Sequence, residues 1–393
     1  MTTHVSAPPA PTVPARRWLA LIAVAVGTFT MVTVEQLPMG LLTGIGGSLN
    51  VTTGAAGLMV TVPGIVACLA APLLPVAIGR VDRRIVLIAL LALMVGANVL
   101  TSVAPNFTVM LVSRFLVGIG IGGFWALAAG LAVRMVPPAF VGQASAITFG
   151  GATAANVLGV PVGTMIGEFT SWRTAFAVLG GLAVLVIVAL VTLLPALPAD
   201  EPVRLSALAG QFRKPSMRVG VSITFFLITA HYATFTFVSP LLTEVAGISQ
   251  DLVGPLLLAF GVAGLIGNFT AGRLVGRDVR KFIIAVGVLL AAVLALFPMI
   301  GATPVTGIAL LIAWGLVFGS VPVSVQTWIF KAAGDQTEAA TALNSSVFNL
   351  AIALGAAVGG VMVNAVSIDG ALWVGGAVAV LTSLVVWRSS APR

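Results

Sequence analysis

Long apolar runs alternate with short polar breaks along the whole chain. A membrane-crossing helix needs about 20 mostly apolar residues. Cutting at charges, Pro/Gly turns and polar clusters gives twelve such runs, at 19–42, 55–78, 85–104, 108–133, 141–165, 174–196, 219–243, 252–272, 282–300, 305–330, 339–363 and 369–387. Residues 282–330 contain no charge, yet they are too long for one span, so the stretch is divided at GATPVTG (301–307).

The second half of the chain echoes the first. GRVDRRIVLIALLAL after span 2 is similar to GRDVRKFIIAVGVLL after span 8, at an offset of 197 residues. Gly159 and Gly163 in span 5 correspond to Gly355 and Gly359 in span 11, each at an offset of 196. An offset of half the chain length predicts two six-span halves in the same orientation. The fold class expected is therefore an all-α membrane protein, twelve transmembrane helices in two parallel six-helix repeats, with the substrate site near the midplane between them. The expected division is a tail (1–17), a first half (18–196), a link (197–218) and a second half (219–388).

Composition agrees with a lipid-facing surface. Only 8% of the 393 residues are charged and 59% are hydrophobic, with a mean hydropathy of +1.15. A soluble domain carries roughly a quarter charged residues. The net charge of +8 raises nucleic-acid binding as a reading, but placement removes it. Seventeen of the nineteen Lys and Arg residues fall in loops on one side, Arg173 falls on the other, and Arg114 lies inside span 4. Such asymmetry marks the basic side, which holds both chain ends, as cytoplasmic. Residues 1–15, rich in Pro, Ala and Thr, read as a disordered tail. The run after Arg16-Arg17 is too long for a cleaved signal and reads as the first span. The single cysteine, Cys68, cannot form an internal disulfide and reads as a small packing residue.

Several motifs carry a family likeness. RFLVGIGIGG (114–123), GVPVGTMIG (159–167), SWRTAF (171–176) and GNFTAGRL (267–274) resemble motifs of the major facilitator superfamily, drug:proton antiporter branch. GRVDRR (79–84) resembles that family's basic loop between helices 2 and 3. It departs from the pattern, with Pro75 and Gly79 where the family has Gly and Asp, and Asp82 at a later Gly position. The likeness implies gating by Gly79, Arg80, Asp82, Arg83 and Arg84. It implies close packing at Gly118 and Gly122 of span 4, and an antiporter seal at Gly159, Pro161, Gly163 and Gly167 of span 5. Within the branch, VEQLPMGLLT (34–43), GGFWA (122–126), RMVPP (134–138), AWGLVFGSVPVSVQTWI (313–329) and DQTEAA (335–340) are most similar to exporters of purine ribonucleosides. Chloramphenicol, multidrug and arabinose-type sugar exporters are built from similar pieces and stay open.

Three ionisable residues fall inside spans, where burial is expensive and points to function. Glu35 lies roughly 27 Å above Arg17 along span 1. Desolvation favours its neutral form, so it can load and release a proton. The alternative is a carboxylate capping backbone amides near Pro38. Arg114 lies roughly 10 Å below the opposite surface, at comparable depth. An interaction of Arg114 with Glu35 is expected, against a fixed structural pair or snorkelling of Arg114. His231 in span 7 is a candidate for proton coupling or substrate contact, against a neutral hydrogen-bonding role. Phe124, Trp125, His231, Tyr232, Phe235, Trp314 and Gln326, with Asn156 and Asn349, are candidate substrate contacts for a ring and a ribose. For any one aromatic, ordinary packing is the alternative. Trp18, Trp172, Trp373 and Trp387 fall near span ends and fit an interfacial belt.

The expected activity is proton-driven transport of a small organic molecule across a bacterial inner membrane by a monomer; the direction, export, is what the resemblance implies, and import stays open. The partners are lipid, substrate and protons, with no nucleic acid, metal or cofactor beyond the proton gradient. No G-x-x-x-x-G-K-[ST] loop for direct ATP coupling occurs. A membrane enzyme would need clustered His, Asp or Glu, which two histidines cannot supply. A passive channel would need a continuous polar pore, whereas polar groups in the spans are sparse.

Overall fold

The structure, a computed structural model, describes residues 13–198, 210–334 and 337–389. Residues 1–12 of the expected tail, 199–209 of the link, 335–336 of DQTEAA and 390–393 lie outside the described residues. Among the described residues, regular structure is helical throughout. The spans run Ala15–Gly40, Thr53–Leu74, Arg83–Ser102, Phe107–Met135, Pro138–Phe169 and Trp172–Leu193 in the first half. In the second they run Pro215–Phe235 with Val238–Val245, then Gln250–Leu274, Val279–Ile300, Pro304–Ala333, Thr337–Ala365 and Ile368–Arg388.

The uncharged stretch divides where expected. Span 9 ends at Ile300, and Thr303 accepts from the Thr306 amide to cap span 10. Span 7 is not the single straight helix expected, because its two pieces meet at 54°. Pro240 supplies the reason: it has no N–H, so the Thr236 carbonyl loses its donor at the break. Span 5 passes through a π-helical turn at Ala155–Gly159, just before Pro161. The turn is a local widening of the helix.

The repeat is visible in the joints. Asp82 and Asp278 cap spans 3 and 9, and Ser171 and Ser367 cap spans 6 and 12, each pair separated by the same offset of 196 residues. Arg84 donates to the Val191 carbonyl in the last turn of span 6, and Arg280 to Trp387 in the last turn of span 12. Arg17 reaches the Met135 carbonyl at 3.1 Å, and Lys214 reaches Ala333 at 2.7 Å. Cations at helix C-termini satisfy carbonyls left without intrahelical donors and meet the negative end of the helix dipole. The basic residues that mark one side of the membrane therefore also finish the helices there.

Buried apolar side chains gather in two clusters. One is built from the first six spans with Phe237 of span 7 inserted. The other comes from the last six spans with Met39, Val60 and Val160 of the first half. Within each half the paired glycines serve the same joint. Gly159 and Gly163 lie against Thr33 and Leu37 of span 1, while Gly355 and Gly359 lie against Thr229 and Ala233 of span 7.

The halves meet through span 2 on span 11 and span 5 on span 8. Polar contacts between them lie on the face away from the chain ends. The Gly54 amide donates to Asn364 Oδ1 at 3.0 Å, and Gln250 Nε2 donates to Glu168 Oε1 at 2.7 Å. The hydroxyls of Thr43 and Ser239, themselves 196 residues apart, are 3.2 Å apart across the repeat axis. Residues 155–169 of span 5 pack on span 8, whereas Val141–Ala154, toward the basic face, packs on spans 1 and 4. The polar contacts thus close the halves against each other on the face away from the chain ends.

Candidate functional site

Spans 1 and 7 face each other beneath that closure, and each carries one buried ionisable residue. Glu35 and His231 are 196 residues apart, so they occupy equivalent places in the two repeats. Glu35 is 7% exposed, and its Oε1 is buried without a hydrogen-bond partner.

Arg114 is fully buried at the depth of Glu35, as its position along span 4 predicts, but it does not pair with it. Its Nη1 donates to the Val34 carbonyl at 3.1 Å and its Nη2 to Thr101 Oγ1 at 2.8 Å. The guanidinium lies over the Phe176 ring, 4.9 Å from the centroid. Among the described residues no carboxylate lies within ion-pair distance of it. The expected Glu35–Arg114 contact is thus corrected: backbone and hydroxyl oxygens take the donors instead. Snorkelling is excluded by the same burial.

His231 sits in an aromatic cluster from spans 7, 8 and 10. Its ring stacks on Phe318 at 3.4 Å and Phe235 at 4.7 Å, with Trp314 edge-on at 5.4 Å. Phe260 stacks on Phe235 at 4.6 Å. Trp314 Nε1 donates to His231 Nδ1 at 3.1 Å. An indole N–H only donates, so Nδ1 must carry its lone pair, which assigns the proton to Nε2 of a neutral imidazole. His231→Leu leaves the buried indole N–H without an acceptor, a loss worth about 1–3 kcal/mol. The purified leucine variant is expected to melt at lower temperature than His231→Gln, which keeps an acceptor.

The other candidates separate. Phe124 is fully buried against Gly27 in the first half's core, which corrects its expected place among the substrate contacts. Its neighbour Trp125 is half-buried and stacks on Phe149 of span 5 at 5.9 Å. Asn349 packs at the joint of spans 2 and 11, where its backbone faces Gly64, and its amide bonds the Ser345 carbonyl. Asn156 is exposed in the π-helical turn, and Gln326 is half-buried. Phe318, one helical turn after Trp314, and Phe260 are members that sequence reading misses. The four-residue spacing from Trp314 points to Phe318; span 8 offers no comparable signal for Phe260.

Gly79 has φ +48°, a left-handed turn that suits glycine. Asp82 Oδ1 accepts from the amides of Arg84 (2.8 Å) and Leu197 (2.9 Å), tying the basic loop to the end of the first half. Arg80 is exposed and the Arg83 side chain is buried. Gly118 and Gly122 lie against Pro63 and Ala67 of span 2. Gly163 and Gly167 face Leu37 and Leu41, and Pro161 abuts Gly254 of span 8. Trp172 is another correction: it is buried and donates to Ser48 Oγ at 2.8 Å, whereas Trp373 and Trp387 are exposed as a belt requires.

The sequence profile of the Major Facilitator Superfamily matches residues 24–340. The chain belongs to the major facilitator superfamily. It is 32% identical over 369 residues to the purine ribonucleoside efflux pump NepI of Escherichia coli (strain K12), covering 94% of this chain and 93% of that one. The NepI of Shigella flexneri matches equally. Among solved structures, a bacterial homolog of the human lysosomal transporter Spinster, inward-facing and occupied, superposes with a TM-score of 0.72 at 16% identity, covering 96% of this chain and 95% of that one. The human organic anion transporter MFSD10 gives 0.69 at 16% identity, covering 97% and 100%. For a superfamily transporter, a polar and aromatic meeting point of spans 1 and 7 beneath a closed face lies in the expected place for a central site.

Proposed function

We propose that this transporter exports purine ribonucleosides in exchange for protons, with Glu35 as the proton carrier. The observation that carries the reading is the placement of Glu35: a buried carboxyl with an unpartnered oxygen and, among the described residues, no cation at bonding distance, on the span that packs against span 7 of the opposite half. The substrate class comes from the likeness to the ribonucleoside pumps over 94% of the chain. The half-buried rings of Phe318 on one side and Trp125 on the other suit a planar base, with the buried Phe235 and Trp314 packed in the cluster that holds Phe318. The distribution of Lys and Arg supports a basic face, with both chain ends, in the cytoplasm of a bacterium, and with that orientation the closure on the opposite face fits an inward-facing state.

In this cycle substrate enters from the cytoplasm as Glu35 releases its proton. The halves rock, the outer contacts open, and a proton from outside reloads Glu35 as substrate leaves. Basic loops, the Asp82 tie and the span 5 glycines act in the rocking. His231 supplies packing and a hydrogen-bonding edge, so proton coupling survives His231→Gln.

Proteoliposomes with an internal pH dye test the substrate class. Inosine and guanosine are expected to drive proton movement, and chloramphenicol and arabinose are not. Movement with either of the latter alone discards the nucleoside and keeps the antiporter.

A further inference from the structure

Span 1 contains Pro38 inside its helix. A proline has no N–H, and its ring crowds the carbonyl four residues earlier, here that of Val34. Within a membrane such a carbonyl must find a donor inside the protein. Arg114 Nη1 is that donor, at 3.1 Å. Its second arm is anchored 2.8 Å away on Thr101 of span 3, whose hydroxyl in turn bonds the Ala97 carbonyl at 2.9 Å. The guanidinium therefore joins spans 3 and 4 to the broken turn of span 1, one residue from Glu35.

The second repeat provides an internal comparison. The position equivalent to Pro38 is Thr234, and that equivalent to Val34 is Ala230. Thr234 has a backbone N–H, and its hydroxyl lies 2.9 Å from the His231 carbonyl and 3.3 Å from the Ala230 carbonyl. The places equivalent to Arg114 at offsets of 196 and 197 are Leu310 and Leu311. Where the proline is missing, so is the arginine.

We infer that Arg114 is a positioning residue that caps the proline break of span 1 and so holds the turn carrying Glu35. This rests on the proposed role of Glu35 as proton carrier. Pro38→Ala gives residue 38 an amide that can serve the Val34 carbonyl from within the helix, so it substitutes for the arginine. A Glu35–Arg114 ion pair makes the opposite demand: removal of Glu35 relieves the loss of Arg114.

The test uses the full-length protein, purified and reconstituted, as wild type, Arg114→Gln, Pro38→Ala/Arg114→Gln and Glu35→Gln/Arg114→Gln. Arg114→Gln is expected to lower maximal inosine-driven proton flux about tenfold, with the inosine KM within about threefold of wild type. It is also expected to lower the melting temperature. Adding Pro38→Ala is expected to recover about half of each loss, a coupling of the kind that contacting residues show. Adding Glu35→Gln is expected to recover none of the melting temperature. The inference is overturned if Pro38→Ala recovers neither quantity, or if Glu35→Gln restores the melting temperature. If Arg114→Gln does not accumulate in the membrane, accumulation of each double variant is compared instead, with the same expected order. If wild type moves no protons with inosine, the nucleoside reading fails, and the melting temperatures alone decide the role of Arg114.

Discussion

Glu35→Gln is expected to abolish inosine-driven proton movement while inosine-for-inosine exchange continues. The substitution keeps the size of the side chain, resembles its protonated form and removes its ability to ionise. Glu35 has a buried oxygen without a partner and no cation at bonding distance among the described residues, so little structure depends on its charge. Its proton is another matter. One elementary charge moving down 100 mV releases about 2.3 kcal/mol, enough for a concentration ratio of nearly fifty-fold. The variant is expected to lose that ratio entirely and to equilibrate inosine across the membrane. Labelled inosine exchange, read beside the pH dye, separates the two quantities. A variant that still couples makes Glu35 a structural carboxylate.

The second large effect is expected at Gly54. This glycine opens span 2 on the closed face, and its amide donates to Asn364 of the opposite half. A side chain there would run into the Gly360 carbonyl and the Asn364 amide. Gly54→Val therefore obstructs closure without touching either half's own core. Overpacking costs about 1–3 kcal/mol, and the two access states of such a protein differ by a few kcal/mol. Transport is expected to fall by about tenfold or more as the population shifts to the outward-open state. Spin labels at Val103→Cys and Val305→Cys, exposed positions on that face in opposite halves, report the change once Cys68 is replaced. A wider label distance in the valine variant is predicted; an unchanged distance with unchanged transport contradicts the closure described.

Much of this architecture is legible in the chain. Apolar length gives the spans, and the split at GATPVTG is real because Thr303 and Pro304 form a helix start. The repeated glycines are legible as a pair, and the structure supplies their common partner, the first span of each half. The bend of span 7 is encoded by Pro240, but hydropathy hides it because both pieces are apolar. The site was less readable. A carboxylate and an arginine at one depth suggest an ion pair, since sequence displays side chains and not carbonyls. The arithmetic that frees the Val34 carbonyl is present in Pro38, yet only the fold reveals which side chain answers it. Phe124 and Trp125 are neighbours in sequence and differ in role because successive helix positions point about 100° apart. Trp172 near a span end reads as interfacial until Ser48 is seen beneath it.

The most direct test of proton-driven nucleoside export is uptake of labelled inosine into proteoliposomes under an imposed pH gradient, with the protein's basic face outward. With the interior acidic, inosine is expected to accumulate above its outside concentration, and to leak back when a protonophore collapses the gradient. Entry that only reaches equality, at a rate indifferent to the gradient, would contradict proton antiport and leave a facilitator in its place.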